Sequence, residues 1–305
     1  MGITVRPPVV PTGVVVPDLD PGTPEWLKVM SASKIPAMLG ISPWESPYSL
    51  WHTMAGNITP EPGTAVTERG HYLEPALLAW LTDRHPGHSV SKGASFAHAE
   101  RPWQTAAPDG LLWTRSLDPQ VVGLVECKTS VDDREWGKAG TDEIPVYHRA
   151  QVQWQMDTTG VHRTHVVCLT SFFEFREYVV EYDPADAAYL REQAAAWLAS
   201  IAAGAEPDID STDHTYRALS ALHPQIDGTQ IDLTPDTAIE WLHAVHARDA
   251  AERAFVGARN RVAQEMGNAA VAKFADLVYA TRQSRSGGTP FVVTGRNLTK
   301  EMSAA

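Results

Sequence analysis

Val121-Val122-Gly123-Leu124-Val125-Glu126-Cys127-Lys128-Thr129 is the stretch on which the fold turns. An apolar, β-branched run of this length reads as a buried strand, and it acquires charge only in its last third. Strand side chains alternate between faces, so Glu126 and Lys128 point one way and Cys127 the other. Upstream, Pro108-Asp109-Gly110 opens the run Gly110-Leu111-Leu112-Trp113-Thr114, and Ser116-Leu117-Asp118-Pro119-Gln120 offers a connecting turn. The two runs read as an antiparallel hairpin that leaves Asp109 free to lie near Glu126 and Lys128.

Two carboxylates and an ammonium are what metal-assisted phosphodiester hydrolysis requires. A hard divalent cation prefers carboxylate oxygens and keeps waters for substrate, so Asp109 with Glu126 is a suitable first set of ligands. Lys128 beside them is suited to orienting or helping to deprotonate a water, or to offsetting charge on a phosphate. Each signal alone has an ordinary alternative. Pro-Asp-Gly is a common turn, and an isolated Glu-x-Lys is usually a solvated strand face. Charges entering an apolar strand must be paired, metal-bound or near solvent, and their conjunction favours the nuclease reading.

The chain has 305 residues, 43% hydrophobic and 20% charged, enough for one large domain or a domain with an appendage. Its formal net charge of −12 argues against a general electrostatic grip on nucleic acid. Any DNA site must then be a local basic groove, with Lys28, Lys34, Arg69, Arg134, Lys138 and Arg149 as candidate lining. Cys127 and Cys168 are too few for a zinc cluster or a disulfide framework and read as buried thiols of a reducing compartment. No secretion signal and no membrane-spanning run is apparent, which makes the cytoplasm the expected location.

Residues 1–24 hold six of the 22 prolines and read as an extended or mobile arm. Helices are expected over Lys34–Leu39, Ser46–Ala55 and 67–84, the last with Leu73, Leu77, Trp80 and Leu81 as its apolar stripe. Pro75 marks a break or a local adjustment in that helix. Trp44, Tyr48 and Trp51 read as core rather than as base-stacking groups. Spacing alone makes His71 and Glu74 solvated helix residues.

A helix beginning after Pro145 and stopped by Gly160 puts Gln151 and Gln155 on one face, with Gln153 pointing elsewhere. At least one of these glutamines is expected to be partly buried and in need of a partner. Strands at His165–Leu169 and Glu177–Tyr182 and a helix from Pro184 to about Gly204 follow. Residues 205–233 read as an acidic connector, and 234–305 as a long helix with a terminal hairpin.

The segments Ser33 to Trp44, Gly70 to Pro75, Pro108-Asp109-Gly110, Glu126-Cys127-Lys128 and Ile144 to Met156 occur in the order seen in YqaJ-type viral recombinases. These are relatives of the phage lambda exonuclease within the PD-(D/E)XK nuclease superfamily, and the chain resembles them over roughly residues 26–200. The resemblance implies an α/β (α+β) restriction-endonuclease-like core over 25–204, a central mixed sheet flanked by helices, with the helix and hairpin as a C-terminal appendage.

By that resemblance Asp109 and Glu126 match the metal-binding carboxylates and Lys128 the catalytic lysine. Glu74 matches the helix-borne acid that completes the metal site, against its reading from spacing. Gln151 matches the glutamine near the attacking water or substrate phosphate, and Ser33 lies where related enzymes contact the DNA end, with Arg69 and Lys138 as further DNA-binding candidates. No counterpart of the basic residue that binds the terminal 5′-phosphate is evident, and His71 has no family assignment.

The implied activity is 5′ to 3′ digestion of linear double-stranded DNA with one or two Mg²⁺ or Mn²⁺ ions, in host cytoplasm if phage-encoded. Its 3′ single-stranded tails would feed a strand-annealing recombinase, and a homo-oligomer is a further expectation. A structure-specific endonuclease with the same site and a non-catalytic DNA-binding or assembly module are the alternatives.

Overall fold

A computed structural model of the protein describes residues 8–60, 65–295 and 298. The chain divides into two compact units at Ile226/Asp227. In chain order the first unit contains β1 (Gly13–Val15), α1 (Pro24–Leu27), β2 (Met30–Ser31), α2 (Ile35–Met38), α3 (Pro47–Met54) and α4 (Ala65–Arg84). There follow β3 (His88–Lys92), β4 (Phe96–His98), β5 (Gln104–Ala106), β6 (Gly110–Thr114), β7 (Val121–Thr129), α5 (Val146–Thr159), β8 (Arg163–Leu169), β9 (Phe175–Glu181), α6 (Pro184–Ala203) and α7 (Asp213–Leu222). The second unit contains α8 (Pro235–Met266), capped by the Thr234 hydroxyl, and an antiparallel sheet of β10 (Val271–Phe274), β11 (Leu277–Gln283) and β12 (Phe291–Thr294).

The run 121–129 lies at the centre of a five-stranded mixed sheet ordered β3-β6-β7-β8-β9. It pairs antiparallel with β6 and parallel with β8, so the β7–β8 connection must cross over, and α5 makes that crossing. Helix α4 covers one face, where Leu77 and Leu81 meet Leu112, Val125 and Val167. On the other face, Val152 and Met156 of α5 pack on Leu111, Leu124, Val166 and Tyr178. A mixed α/β architecture with helices on both faces of the sheet is therefore what the chain adopts.

α5 is buried on nearly every side. Trp154 points away from the sheet into a second core with Met30, Ile35, Leu50 and Leu190, so the helix is sandwiched rather than amphipathic. It ends at Gly160, whose φ of 73° is the left-handed cap that glycine adopts without strain.

Several expectations are corrected. The proline-rich N-terminal stretch is not a free arm from residue 8 onward: β1 pairs with β4, Val10 joins the core, and Thr12 N–H donates to Thr159 C=O. Prolines remove donors only where they stand, and Gly13-Val14-Val15 keeps enough of them to pair. α4 is continuous through Pro75, which lies on an exposed side where the missing donor is tolerated. Residues 205–233 contain α7, capped by the Thr212 hydroxyl and tied to α3 through a 2.8 Å bond between the Thr215 and Ser46 hydroxyls. Tyr48 and Trp51 are core, but Trp44 is 62% exposed and stands edge-on to Tyr147.

Candidate active site

The β6–β7 register, Gly110 opposite Val125, brings Asp109 beside the charged end of β7. The Cys127 N–H donates to Asp109 Oδ2 at 2.7 Å, which ties the turn to the strand. Glu126 is buried, and both its oxygens receive donors. Oε1 accepts from Lys128 Nζ at 2.6 Å and from Gln151 Nε2 at 2.6 Å, while Oε2 accepts from Gln155 Nε2 at 2.8 Å. Lys128 also donates to Gln151 Oε1 at 3.0 Å, closing a ring of three side chains. Glu74 on α4 lies close enough for its charge to act on Asp109 and Cys127.

The electrostatics follow from Asp109 and Glu126 beside one ammonium, with Glu74 acting on Asp109. Burial, then the charge of Glu126, pushes the Asp109 carboxyl well above the carboxylate range, with Lys128 opposing. Burial alone would lower the Lys128 ammonium, but the charges of Glu126 and Asp109 outweigh it and hold the group above its ordinary value. Lys128 is thus a firm cation rather than a base. His148, on the same helix as Gln151, is pushed down to about 2 by burial and by Lys128, so it stays neutral.

This donor set, all carboxylate oxygen and short of positive charge, fits a hard divalent cation. The buried Oε1 of Gln155 has no donor among the described residues and adds another acceptor. Glu74, Asp109 and Glu126 are the residues that would hold the ion. Their oxygens are not gathered within 4.8 Å of one another, unlike a second cluster taken up below.

The structure therefore brings Asp109, Glu126, Lys128 and Gln151 together directly and Glu74 by proximity. Ser33, Arg69 and Lys138 are exposed, and none bonds to the carboxylates among the described residues. One groove candidate, Lys34, is corrected, and two others stand in surface ion pairs. Lys34 is buried and donates to the carbonyls of Trp26 and Val29, while Arg134 pairs with Asp132 and Arg149 with Asp142. His71 is exposed.

Gln155 is the site residue that spacing did not single out. Its only signal is the face shared with Gln151 across one helical turn; Gln153 instead bonds the backbone at Glu181 and Asp183. Because Gln155 orients Glu126 from behind, Gln155→Leu is expected to reduce metal affinity or turnover about 10–100-fold. Mg²⁺ titration monitored by activity checks this, and an unchanged titration would mean that Glu126 needs no such support.

Residues 25–162 match the model of the YqaJ-like viral recombinase domain. No curated protein matches the chain. Similar solved structures include LHK-Exo in complex with dAMP, at 22% identity over 59% of this chain and 91% of that one, with a TM-score of 0.46. Another is the alkaline exonuclease LHK-Exo from Laribacter hongkongensis, at 22% identity over 59% and 90%, with a TM-score of 0.45. A phage related exonuclease from Haemophilus somnus 129PT is 11% identical over 57% and 93%, with a TM-score of 0.41. The stretch that resembles the YqaJ-like viral recombinase domain, residues 25–162, carries every side chain of this centre.

Proposed function

We propose that this chain is a divalent-metal-dependent deoxyribonuclease that digests linear double-stranded DNA from its 5′ ends and leaves 3′ single-stranded tails for a strand-annealing recombinase. The observation that carries the reaction class is the convergence of Asp109, Glu126 and Lys128 at one end of the sheet, with Gln151 bonded to two of them. The direction of digestion and the annealing partner rest on the family alone.

A bound Mg²⁺ or Mn²⁺ supplies Lewis acidity to the phosphate and lowers the pKa of the attacking water. Glu74, Asp109 and Glu126 would hold that ion. Lys128, whose ammonium holds its proton more firmly than an ordinary lysine because of Glu126 and Asp109, positions the water and offsets charge on the phosphate oxygens. Gln151 spans Lys128 and Glu126, and its amide orients the ammonium toward the reacting phosphate.

Linear duplex labelled separately at each 5′ and 3′ end, run beside a covalently closed circle, tests the proposal. Mg²⁺-dependent loss of the 5′ label first, with the circle intact, is the expected result. Cutting of the circle would make the chain an endonuclease, and no Mg²⁺-dependent product would leave a non-catalytic DNA-binding module.

Asp109 also makes metal binding pH-dependent. Its folded carboxyl titrates above the ordinary 3.8, so between that value and the raised one the folded state keeps a proton that the unfolded chain has lost. Metal-free stability therefore falls as pH rises through this window. Mg²⁺ needs the ionised carboxylate, so the rise in Tm on adding Mg²⁺ should grow with pH across the same window. Thermal melts with and without Mg²⁺ check this, and Asp109→Asn should flatten the dependence.

A further inference from the structure

We propose that His85, His165 and Glu177 form a zinc-type divalent metal site, separate from the carboxylate centre, that staples the end of α4 to β8 and β9. One ligand atom from each residue lies within 4.8 Å of the other two, and among the described residues no other trio of histidine, cysteine, aspartate or glutamate is so gathered. His85 Nε2 lies 2.8 Å and His165 Nδ1 2.7 Å from the same oxygen, Glu177 Oε1. Two imidazole nitrogens and a carboxylate oxygen are a donor set for zinc, whereas the all-carboxylate centre suits a harder ion.

Tetrahedral ligands at about 2.0–2.1 Å from zinc stand roughly 3.4 Å apart, so an ion requires each contact to open by only a fraction of an ångström. The backbone favours this convergence. His165 pairs with Val179 and Val167 with Glu177, so His165 and Glu177 are diagonal neighbours on one sheet face. On the other side of the imidazole lies Gly123 of β7. A Cβ there would stand 3.0 Å from His165 Cδ2, so glycine makes room for the ring and keeps Nδ1 turned toward Glu177.

His85 follows directly on α4 and reaches the cluster from the helix layer, its ring 5.1 Å from that of His165. His85 is 25% and Glu177 20% exposed, which leaves an entry path and an open position for a water. Glu74 and His85 are eleven positions apart, about 16 Å at the helical rise, so the two centres lie well apart along this part of the chain. The ion would anchor the far end of the helix that carries Glu74.

The test uses protein stripped with chelator and titrated with Zn²⁺ in a large excess of Mg²⁺. Wild type and Glu126→Gln should each bind one Zn²⁺ per chain and gain Tm on binding. Glu177→Gln and His85→Ala, both at partly exposed positions, should each lose at least about tenfold in Zn²⁺ affinity and the accompanying gain in Tm. Equal Zn²⁺ affinity in wild type and Glu177→Gln, loss of Zn²⁺ in Glu126→Gln, or no Zn²⁺ uptake by wild type would each overturn the proposal. None of these readouts depends on nuclease activity.

Discussion

Glu126→Gln should lower the rate on linear duplex by roughly 10³-fold, about 4 kcal/mol of transition-state stabilisation. The substitution keeps the shape of the side chain and at least one acceptor, so Gln151 and Lys128 retain a partner and the fold survives. It removes the charge on which the site is organised. Lys128 loses its 2.6 Å counter-ion, while Asp109 stays bonded to the Cys127 N–H of β7. Relieved of the repulsion from Glu126, the Asp109 carboxyl should titrate lower than in the wild type. Initial rates on end-labelled duplex at saturating Mg²⁺ measure the loss, with far-ultraviolet dichroism as the check on folding. A variant within tenfold of wild type would exclude Glu126 from the chemistry.

Trp154→Ala should cost about 3–5 kcal/mol of stability and lower Tm by roughly 10 °C for a unit of this size. Trp154 is fully buried, and its indole N–H donates to Thr105 C=O at 3.1 Å. Truncation therefore opens a large cavity between α5 and the α2–α3–α6 layer and also strands a buried carbonyl. α5 carries Gln151 and Gln155, so loosening it should weaken Mg²⁺ binding as well. Trp154→Phe retains a ring and should lose less than half as much. Urea melts followed by dichroism give both values, and a loss below about 1 kcal/mol for Trp154→Ala would mean that the second core does not hold α5 in place.

Much of this arrangement is legible in local patterns. The Val121–Thr129 run specifies a buried strand, and side-chain alternation separates Cys127 from Glu126 and Lys128 without any tertiary information. Caps and stops at Ser46, Asp183, Thr234 and Gly160 act through their own backbone neighbours, so the corresponding helices appear within a residue or two of their expected ends. Exposure was harder to read. Trp44 and Trp51 have similar surroundings in sequence, yet Trp51 is packed with its indole bonded to Ser200 while Trp44 stands in solvent. Lys34 has the sequence character of a groove cation yet is a buried structural donor, because only the folded chain brings the Trp26 and Val29 carbonyls to its ammonium.

What the sequence determined by itself is therefore the periodic and the local: the strand at β7, the hairpin that follows Asp109, the helix bearing three glutamines, and the pairing of Glu126 with Lys128 on one face. Tertiary structure decided which of those glutamines face the carboxylate, that Glu74 lies near Asp109, and that His85, His165 and Glu177 meet across three elements. The physical reason is range. Strand alternation and helix capping act over a few residues, whereas burial and the convergence of side chains from α4, the turn before β6, β7 and α5 exist only once the sheet and its two covering layers have closed.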